Sequence, residues 1–193
     1  MNIHIRKDKK IEIEMKKHIE GAISWFGENI TDRPVNPANT NLFNVEPSTI
    51  DLEDDISDTF HSIVAKLLFV CKRARPNIEP AIAYLCTRVS KSSTDDWKKL
   101  RRVLAFLKWT IDDVRIIGAQ TLQDFYTWVD AAYGVHDDMK SHTGGAMSLG
   151  TGEIHTRSAK QKLNTKSSTE AEVVVTSDYV PYNTWLRNFL GDG

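Results

Sequence analysis

The sequence is poor in cysteine, has no excess charge of one sign, and contains no long hydrophobic run. The two cysteines among its 193 residues, Cys71 and Cys86, lie in apolar helical patterns. This indicates reduced core thiols and an intracellular setting, without choosing between cytoplasm and nucleus. No run reaches the ~18 apolar residues of a membrane helix. The first residues lack the apolar core of a signal peptide, so we expect no membrane association.

Charge also excludes one class of protein. The formal net charge is −1, from 25 Lys and Arg against 26 Asp and Glu. A wholly basic nucleic-acid-binding protein is therefore excluded, and nucleic-acid binding would have to rest on local patches. With 40% hydrophobic and 26% charged residues, the chain can bury a core, and its length suits one or two domains.

The first part of the chain reads mainly as helix. Residues 2–14 alternate apolar and polar positions around Lys7 and Asp8, which predicts a β-hairpin, and residues 15–26 carry one helical apolar stripe. Residues 31–54 have no period and predict a long loop. Three helices should follow, so that residues 57–109 are mostly helical, with Pro80 in a first turn and Thr94 as an N-cap.

The apolar period changes near residue 122. Residues 124–158 alternate and predict an antiparallel three-stranded sheet, whose second and third strands join at Gly150-Thr151-Gly152. A helix should then run from about Thr169 to Leu190. Pro181 should kink or break this helix, because proline removes one backbone donor and clashes with the preceding turn.

Asp130 stands inside the first strand of the predicted sheet. Its neighbours Trp128, Val129, Ala131 and Ala132 are apolar, and aspartate is disfavoured in strands. A half-buried carboxylate needs a counter-charge, a hydrogen-bond network or a metal. The residues alone leave two interpretations open, namely a strand-end Asp bonded to a backbone amide and a metal ligand.

Glu170 raises a related choice. It follows Ser168 and Thr169 at a helix start, where a carboxylate commonly serves as a cap. Alternatively, Glu170 points across the sheet at Asp130. Two close carboxylates repel each other, and a divalent cation is the usual reason to tolerate that. An oxygen-only site favours Mg²⁺ or Mn²⁺ over zinc, and the carboxyls would then lie about 4–8 Å apart.

Several segments together resemble copia-type retrotransposon polyproteins. The stretch "WVDAAYGVHDDMKSHTGGAMSLGTGEIHTRSAKQKLNTKSSTEAE" resembles the start of their ribonuclease H domain, with the opening Asp, "SHTGG", "KQK" and "SSTEAE" in order. Upstream, "FHSIVAKLLFVCKRARPNIEPAIAYLCTRV" and "DDWKKLRRVLAFLKWT" resemble the region just after the reverse-transcriptase palm. The likeness covers nearly the whole chain.

The resemblance implies roles for three carboxylates. Asp130 and Glu170 match the family's first two metal-binding and catalytic carboxylates, which hold Mg²⁺ or Mn²⁺, whereas Glu172 is expected on the helix surface and Asp178 matches no catalytic position. The family's third catalytic Asp and a fourth acid or histidine lie on later elements, and its Tyr-x-Asp-Asp polymerase motif lies earlier. We therefore expect an excerpt of such a polyprotein.

The resemblance also implies an organisation of the chain. Residues 1–30 would be the end of a palm-like hairpin and helix, residues 31–120 a helical thumb- or connection-like region, and residues 121–193 the first part of a ribonuclease H-like domain. The expected fold class is α/β, α+β overall, with an incomplete ribonuclease H-like fold of three antiparallel strands and a helix. Its open sheet edge would favour self-association.

Two groups of basic residues could contact the phosphates of an RNA–DNA hybrid. The alternative for each is a solvated surface. The groups are Lys98, Lys99, Arg101 and Arg102 on one helix, and Arg157, Lys160, Lys162 and Lys166 around the end of the sheet. His136 beside Asp137 and Asp138 is better explained as a solvated turn than as a metal site.

Three functions follow from the resemblance. The chain is a fragment of a retrotransposon enzyme whose parent makes DNA from RNA and hydrolyses the RNA of hybrids, or a non-catalytic module that binds nucleic acid, or a decayed gene product. The carboxylates that the resemblance leaves unmatched favour the second and third, so we expect the chain to be inactive alone.

Overall fold

The computed structural model describes residues 1–191 and is a mixture of helices and antiparallel strands, which confirms the predicted fold class. The strands are β1 (Asn2–Ile5), β2 (Ile11–Glu14), β3 (Arg115–Ala119), β4 (Tyr126–Ala132), β5 (His142–Ser148), β6 (Gly150–Thr151) and β7 (Glu153–Lys160). The helices are α1 (Lys16–Phe26), α2 (Asp54–Arg73), α3 (Glu79–Cys86), α4 (Thr94–Trp109) and α5 (Ser168–Gly191).

The chain folds into two compact units. The first contains Met1–Ile3 and Ile13–Arg115, and the second contains His4–Glu12 and the chain from Ile116 onward. The three-part division at residues 30 and 120 stays a prediction. None of the helices in the described residues is long and apolar enough to cross a membrane.

Helices α1 to α4 build the first unit around one apolar core. Its fully buried side chains include Phe60, Leu67, Leu85 and Leu104. The free thiol of Cys71 is buried there, and burial raises its pKa to about 12, as expected of a structural core thiol. Helices α2, α3 and α4 cover most of residues 57–109, which confirms the prediction that this segment is mostly helical.

Helix α4 begins one residue earlier than the sequence indicated. Ser93, not Thr94, is its N-cap, and the side-chain oxygen of Ser93 accepts a hydrogen bond from the Asp96 amide. The Asp96 carboxylate in turn accepts from the Ser93 amide at 3.0 Å, which completes a capping box. Pro80 lies in the first turn of α3, as predicted.

The second unit is built on a three-stranded antiparallel sheet of order β4-β5-β7, as predicted. Asp130 pairs with Gly144, and Val129 pairs with Gly145. Helix α5 packs on one face of this sheet through Val175, Tyr179 and other apolar side chains. Of the described strands only β5 pairs with β4 in this sheet, so β4 is an edge strand.

Three details differ from the sequence prediction. Strand β3 was not predicted, and the expected link between the sheet strands is itself a short strand, β6, which pairs with β3. Gly152 has a φ of 64°, and a Cβ there would lie 2.0 Å from the carbonyl oxygen of Ile116, so only glycine fits. Helix α5 continues through Pro181, so of the predicted kink or break the break does not occur.

Candidate functional site

Asp130 lies near the middle of β4, on the face that α5 does not cover. Side chains alternate along a strand, and Val129 and Ala131 pack toward the α5 core. Trp128 and Asp130 alternate with them and are exposed. The expectation of a half-buried Asp130 is therefore wrong, because its apolar neighbours in sequence belong partly to the opposite face of the sheet.

Glu172 makes the contact between α5 and the free edge of β4. Its Oε1 accepts a hydrogen bond from the Ala131 amide at 3.1 Å, and the residue is half-buried. The Ala131 nitrogen belongs to the same peptide unit as the Cα of Asp130, so the Glu172 carboxylate lies within about 6 Å of that Cα. The expectation that Glu172 is only a helix-surface residue is wrong.

Glu170 instead caps the helix on which both glutamates lie. Its Oε2 accepts from the Lys166 amide at 2.6 Å, and its own amide donates to the Ser167 hydroxyl at 3.1 Å. Residues two apart on a helix differ by about 200° in direction, so Glu170 points away when Glu172 faces the sheet. The structure therefore supports the capping interpretation of Glu170. The glutamate that approaches β4 is Glu172.

Amide exchange distinguishes the two glutamates. Glu172→Ala should speed hydrogen exchange at the Ala131 amide by about tenfold or more, because that edge donor loses its acceptor. Glu170→Ala should leave the Ala131 rate unchanged and lower stability by about 1 kcal/mol through loss of the cap. The measurement is NMR exchange at single amides. Equal Ala131 rates in both variants would contradict the assignment.

A metal ion fits this carboxylate pair only in part. Among residues 1–191 there is no group of three Asp, Glu, His or Cys side chains that could hold an ion. Asp130 lies on the face of β4 that α5 does not cover, and Glu172 reaches the β4 edge from α5, whereas Mg²⁺ prefers six oxygens in a near-octahedral arrangement. The described residues therefore do not form a complete metal site.

The basic residues near β7 divide into paired and exposed ones. Arg157 pairs with Asp178 at 3.4 Å, and Lys160 pairs with Asp138 at 2.8 Å. The side chains of Lys162 and Lys166 are exposed and make no ion pair with any residue from 1 to 191. These two lysines are the cations of this group that remain available to a phosphate backbone.

The basic residues of α4 mostly hold the long loop between α1 and α2. Arg101 pairs with Asp32, and Arg102 donates to the Asn36 side chain at 2.6 Å. Lys99 Nζ donates to the backbone oxygen of Asn44 at 2.5 Å. Only Lys98 of the four predicted contacts is exposed without a described partner, so this face is largely engaged within its own unit.

Similar proteins are found among transposon polyproteins. The retrovirus-related Pol polyprotein from transposon TNT 1-94 of Nicotiana tabacum is 25% identical over 191 residues, covering 96% of this chain. The one from transposon RE2 of Arabidopsis thaliana is 29% identical over 166 residues, covering 79%. The chain is homologous to transposon Pol polyproteins. This confirms the resemblance indicated by the sequence.

The Pol homology covers a small part of each relative. The chain spans 14% of the TNT 1-94 polyprotein and 11% of the RE2 polyprotein. An uncharacterized mitochondrial protein of Arabidopsis thaliana is 31% identical over 119 residues, covering 61% of this chain and 49% of that protein. No family model and no solved structure matches the chain.

His136 of this Pol homologue is part of a buried histidine pair. Its Nε2 lies 3.0 Å from Nδ1 of His142, whose Nε2 lies 2.7 Å from the Ser158 hydroxyl. Both histidines are only 5% exposed. The prediction of a solvated turn at His136 is wrong, because the loop after β4 folds back onto β5 and β7.

The buried histidine should make stability depend on pH. Burial lowers the pKa of His136, Lys160 lowers it further, and Asp138 and Asp137 oppose this shift. The unfolded chain, with an ordinary pKa of about 6.5, then binds the proton better. Stability should be complete above that pH and fall as pH drops below it, which urea unfolding at pH 7.5 and 5.5 measures.

A matched pair of variants isolates this effect. His136→Asn should flatten the loss of stability between the two pH values, whatever its own cost at pH 7.5. His4→Gln changes an exposed histidine and should keep the loss. An unchanged loss in His136→Asn would show that another group is responsible.

Proposed function

We propose that the chain is a segment of a retrotransposon reverse transcriptase and ribonuclease H polyprotein, and that its second unit is the first part of a ribonuclease H-like domain. The parent activity would be RNA-directed DNA synthesis and metal-dependent hydrolysis of RNA in RNA–DNA hybrids. The observation that carries the proposal is the approach of Glu172 to β4 beside Asp130. It places the Glu172 carboxylate within about 6 Å of the Asp130 Cα, at the free edge of β4.

Asp130 and Glu172 are the proposed ligand pair, in place of Asp130 and Glu170. A bound Mg²⁺ or Mn²⁺ would supply charge neutralisation at a phosphodiester. Asp130 is exposed on β4, so a cation can reach it from solvent, whereas Glu172 is fixed by its bond to the Ala131 amide. Further oxygens must come from elements that pair at the free edge of β4, so the isolated chain should not hydrolyse RNA.

The second candidate function is binding of an RNA–DNA hybrid without catalysis. The exposed Lys162 and Lys166 favour it, since they follow β7 closely and have no carboxylate partner in residues 1–191. Binding through lysine–phosphate contacts weakens with salt, with a slope of log affinity against log salt of about −0.9 per contact on a duplex. Self-association through the β4 edge is a further expectation, because an unpaired edge accepts another strand.

The test is a cleavage and binding assay on one set of proteins. The full chain is compared with Asp130→Asn, Glu172→Gln and Glu170→Gln on a labelled RNA–DNA hybrid in Mg²⁺ and in Mn²⁺. We expect no cleavage above background by any of them. We expect Mn²⁺ to broaden the NMR signals of residues near Asp130 in the wild type and in Glu170→Gln, and to do so much less in the other two variants.

Other outcomes discriminate between the candidates. Equal broadening in all four proteins would show that Asp130 and Glu172 do not bind the ion. Robust cleavage that Asp130→Asn and Glu172→Gln abolish would show that the pair is complete without further ligands. Hybrid binding that Lys162→Gln and Lys166→Gln weaken at low salt would support the binding module. If no hybrid binding is measured at low salt, the binding module is refuted and a fragment without activity is the remaining interpretation.

A further inference from the structure

A cavity of about 330 Å³ lies in the first unit, between the long loop and the helices α3 and α4. This volume is at the lower end of the range of about 300–1,000 Å³ for small-molecule sites. Pro34, Pro37 and Leu42 line it with apolar surface, and the exposed Asn39 and Asn41 lie on its loop side. Its lining thus combines an apolar surface with a few polar groups, as ligand pockets commonly do.

The charges around this cavity do not balance. Its lining includes four cations and two carboxylates: Lys98, Lys99, Arg101, Arg102, Asp32 and Asp95. Both carboxylates are already paired, Asp32 with Arg101 and Asp95 with Lys99. Lys98 and Arg102 therefore have no carboxylate partner in the part of the chain that the structure describes, while Glu28, outside the lining, gives Arg101 a second carboxylate.

Arg102 carries a second sign of an absent partner. One of its terminal nitrogens donates to the neutral side chain of Asn36, but its Nε is buried and has no hydrogen-bond acceptor among residues 1–191. A buried donor without an acceptor costs about 1–3 kcal/mol. Because that Nε is shielded from solvent, an anion in the cavity reaches it only when the guanidinium turns toward the cavity, where it can bind phosphate through two parallel N–H bonds.

We propose that this cavity binds the phosphate monoester of a nucleotide. Lys98 and Arg102 take the phosphate, the half-buried Pro34 and Pro37 contact the planar base, and the Asn39 and Asn41 carboxamides can pair with its polar edge. The same chemistry is offered by a free nucleotide and by the phosphorylated end of a nucleic-acid strand. The proposal does not rest on the ribonuclease H-like assignment of the second unit.

Isothermal titration of the full chain tests the site. The probes are adenosine 5′-monophosphate, adenosine, inorganic phosphate, and a short oligodeoxynucleotide with and without a 5′-phosphate. We expect the monophosphate to bind more tightly than adenosine or inorganic phosphate. If the phosphorylated oligonucleotide binds more tightly than the monophosphate, the ligand is the end of a strand. If the monophosphate binds more tightly, the ligand is a free nucleotide. Each of these results supports the site.

Variants connect binding to the two cations. Lys98→Gln and Arg102→Gln should each weaken monophosphate binding by about tenfold, and Arg102→Lys should weaken it less because it keeps the charge. Lys17→Gln removes an exposed lysine of α1 outside the cavity and should change nothing. Because Lys98 has no described partner, Lys98→Gln should fold normally even if Arg102→Gln does not.

Three results would overturn the proposal. The first is no measurable heat with the monophosphate or with the phosphorylated oligonucleotide at millimolar concentration. The second is equal affinity for adenosine and its monophosphate, which would mean that the phosphate is not recognised. The third is equal weakening by Lys98→Gln and Lys17→Gln, which would mean that only the general charge of the protein matters.

Discussion

Gly145→Ala should lower the free energy of unfolding of the second unit by about 2–4 kcal/mol. Gly145 lies on β5 opposite Val129, on the face that α5 covers. A Cβ there would lie 2.3 Å from Cζ of Tyr179, and Tyr179 is 1% exposed and cannot move into solvent without opening the core. One methyl group therefore forces the helix away from the sheet.

Gly144, the neighbour of Gly145 in sequence, provides a matched control. A Cβ on Gly144 would lie 3.7 Å from the backbone oxygen of Asp130, an ordinary contact on the other face. Gly144→Ala should cost less than about 1 kcal/mol, and urea unfolding followed by circular dichroism compares the two. Gly145→Ala combined with Tyr179→Leu should recover part of the loss. Equal stability of the two single variants would refute the packing of α5 on β5.

Asp96→Ala should destabilise the first unit by about 2–4 kcal/mol. Asp96 is 1% exposed, and its carboxylate accepts from the Ser93 amide at 3.0 Å and from the Ser93 hydroxyl at 2.8 Å. It also pairs with Arg88 at 3.3 Å. Alanine removes the capping box and leaves a mostly buried guanidinium without its counter-charge, which is more costly than the loss of a surface ion pair.

Asp95 controls for charge at the same helix end. It also lies in the first turn of α4, but its side chain is 28% exposed against 2% for Asp96, and its partner Lys99 keeps a bond to the Asn44 carbonyl when Asp95 is removed. Asp95→Ala should cost no more than about 1 kcal/mol. Thermal unfolding of the two variants beside the wild type measures the difference. If Asp95→Ala were the more damaging of the two, the helix dipole rather than the buried capping box would dominate.

Local patterns in the sequence were enough to predict most of the elements. Helices α2 to α4 follow from apolar spacing near 3.6 residues, and the sheet follows from alternation after residue 122. Strand β3 was missed because "RIIGA" is a short apolar run whose partner, β6, comes about thirty residues later. Propensity carries no information on such a distant partner.

The candidate site was harder to predict because it depends on which face of each element is buried. Glu172 lies beside the buried stripe of α5, which contains Ala171, Val175 and Tyr179, and Glu170 lies off it. Tracing that stripe on a helical wheel would have favoured Glu172. The burial of His136 left no such signal, because it depends on His142, which the loop after β4 brings close.

The long loop between α1 and α2 is held at its backbone as well as at its side chains. Lys108 donates to the carbonyl of Ile30 at 2.7 Å, Trp109 to that of Asp32 at 2.5 Å, and Lys99 to that of Asn44. Every residue type presents a carbonyl, so substitutions in the loop leave these bonds intact, while a substitution on α4 removes one. Substitutions are therefore tolerated unequally at these three contacts. A loop residue can be replaced and the bond to its carbonyl remains, whereas replacing Lys99, Lys108 or Trp109 on α4 removes the bond.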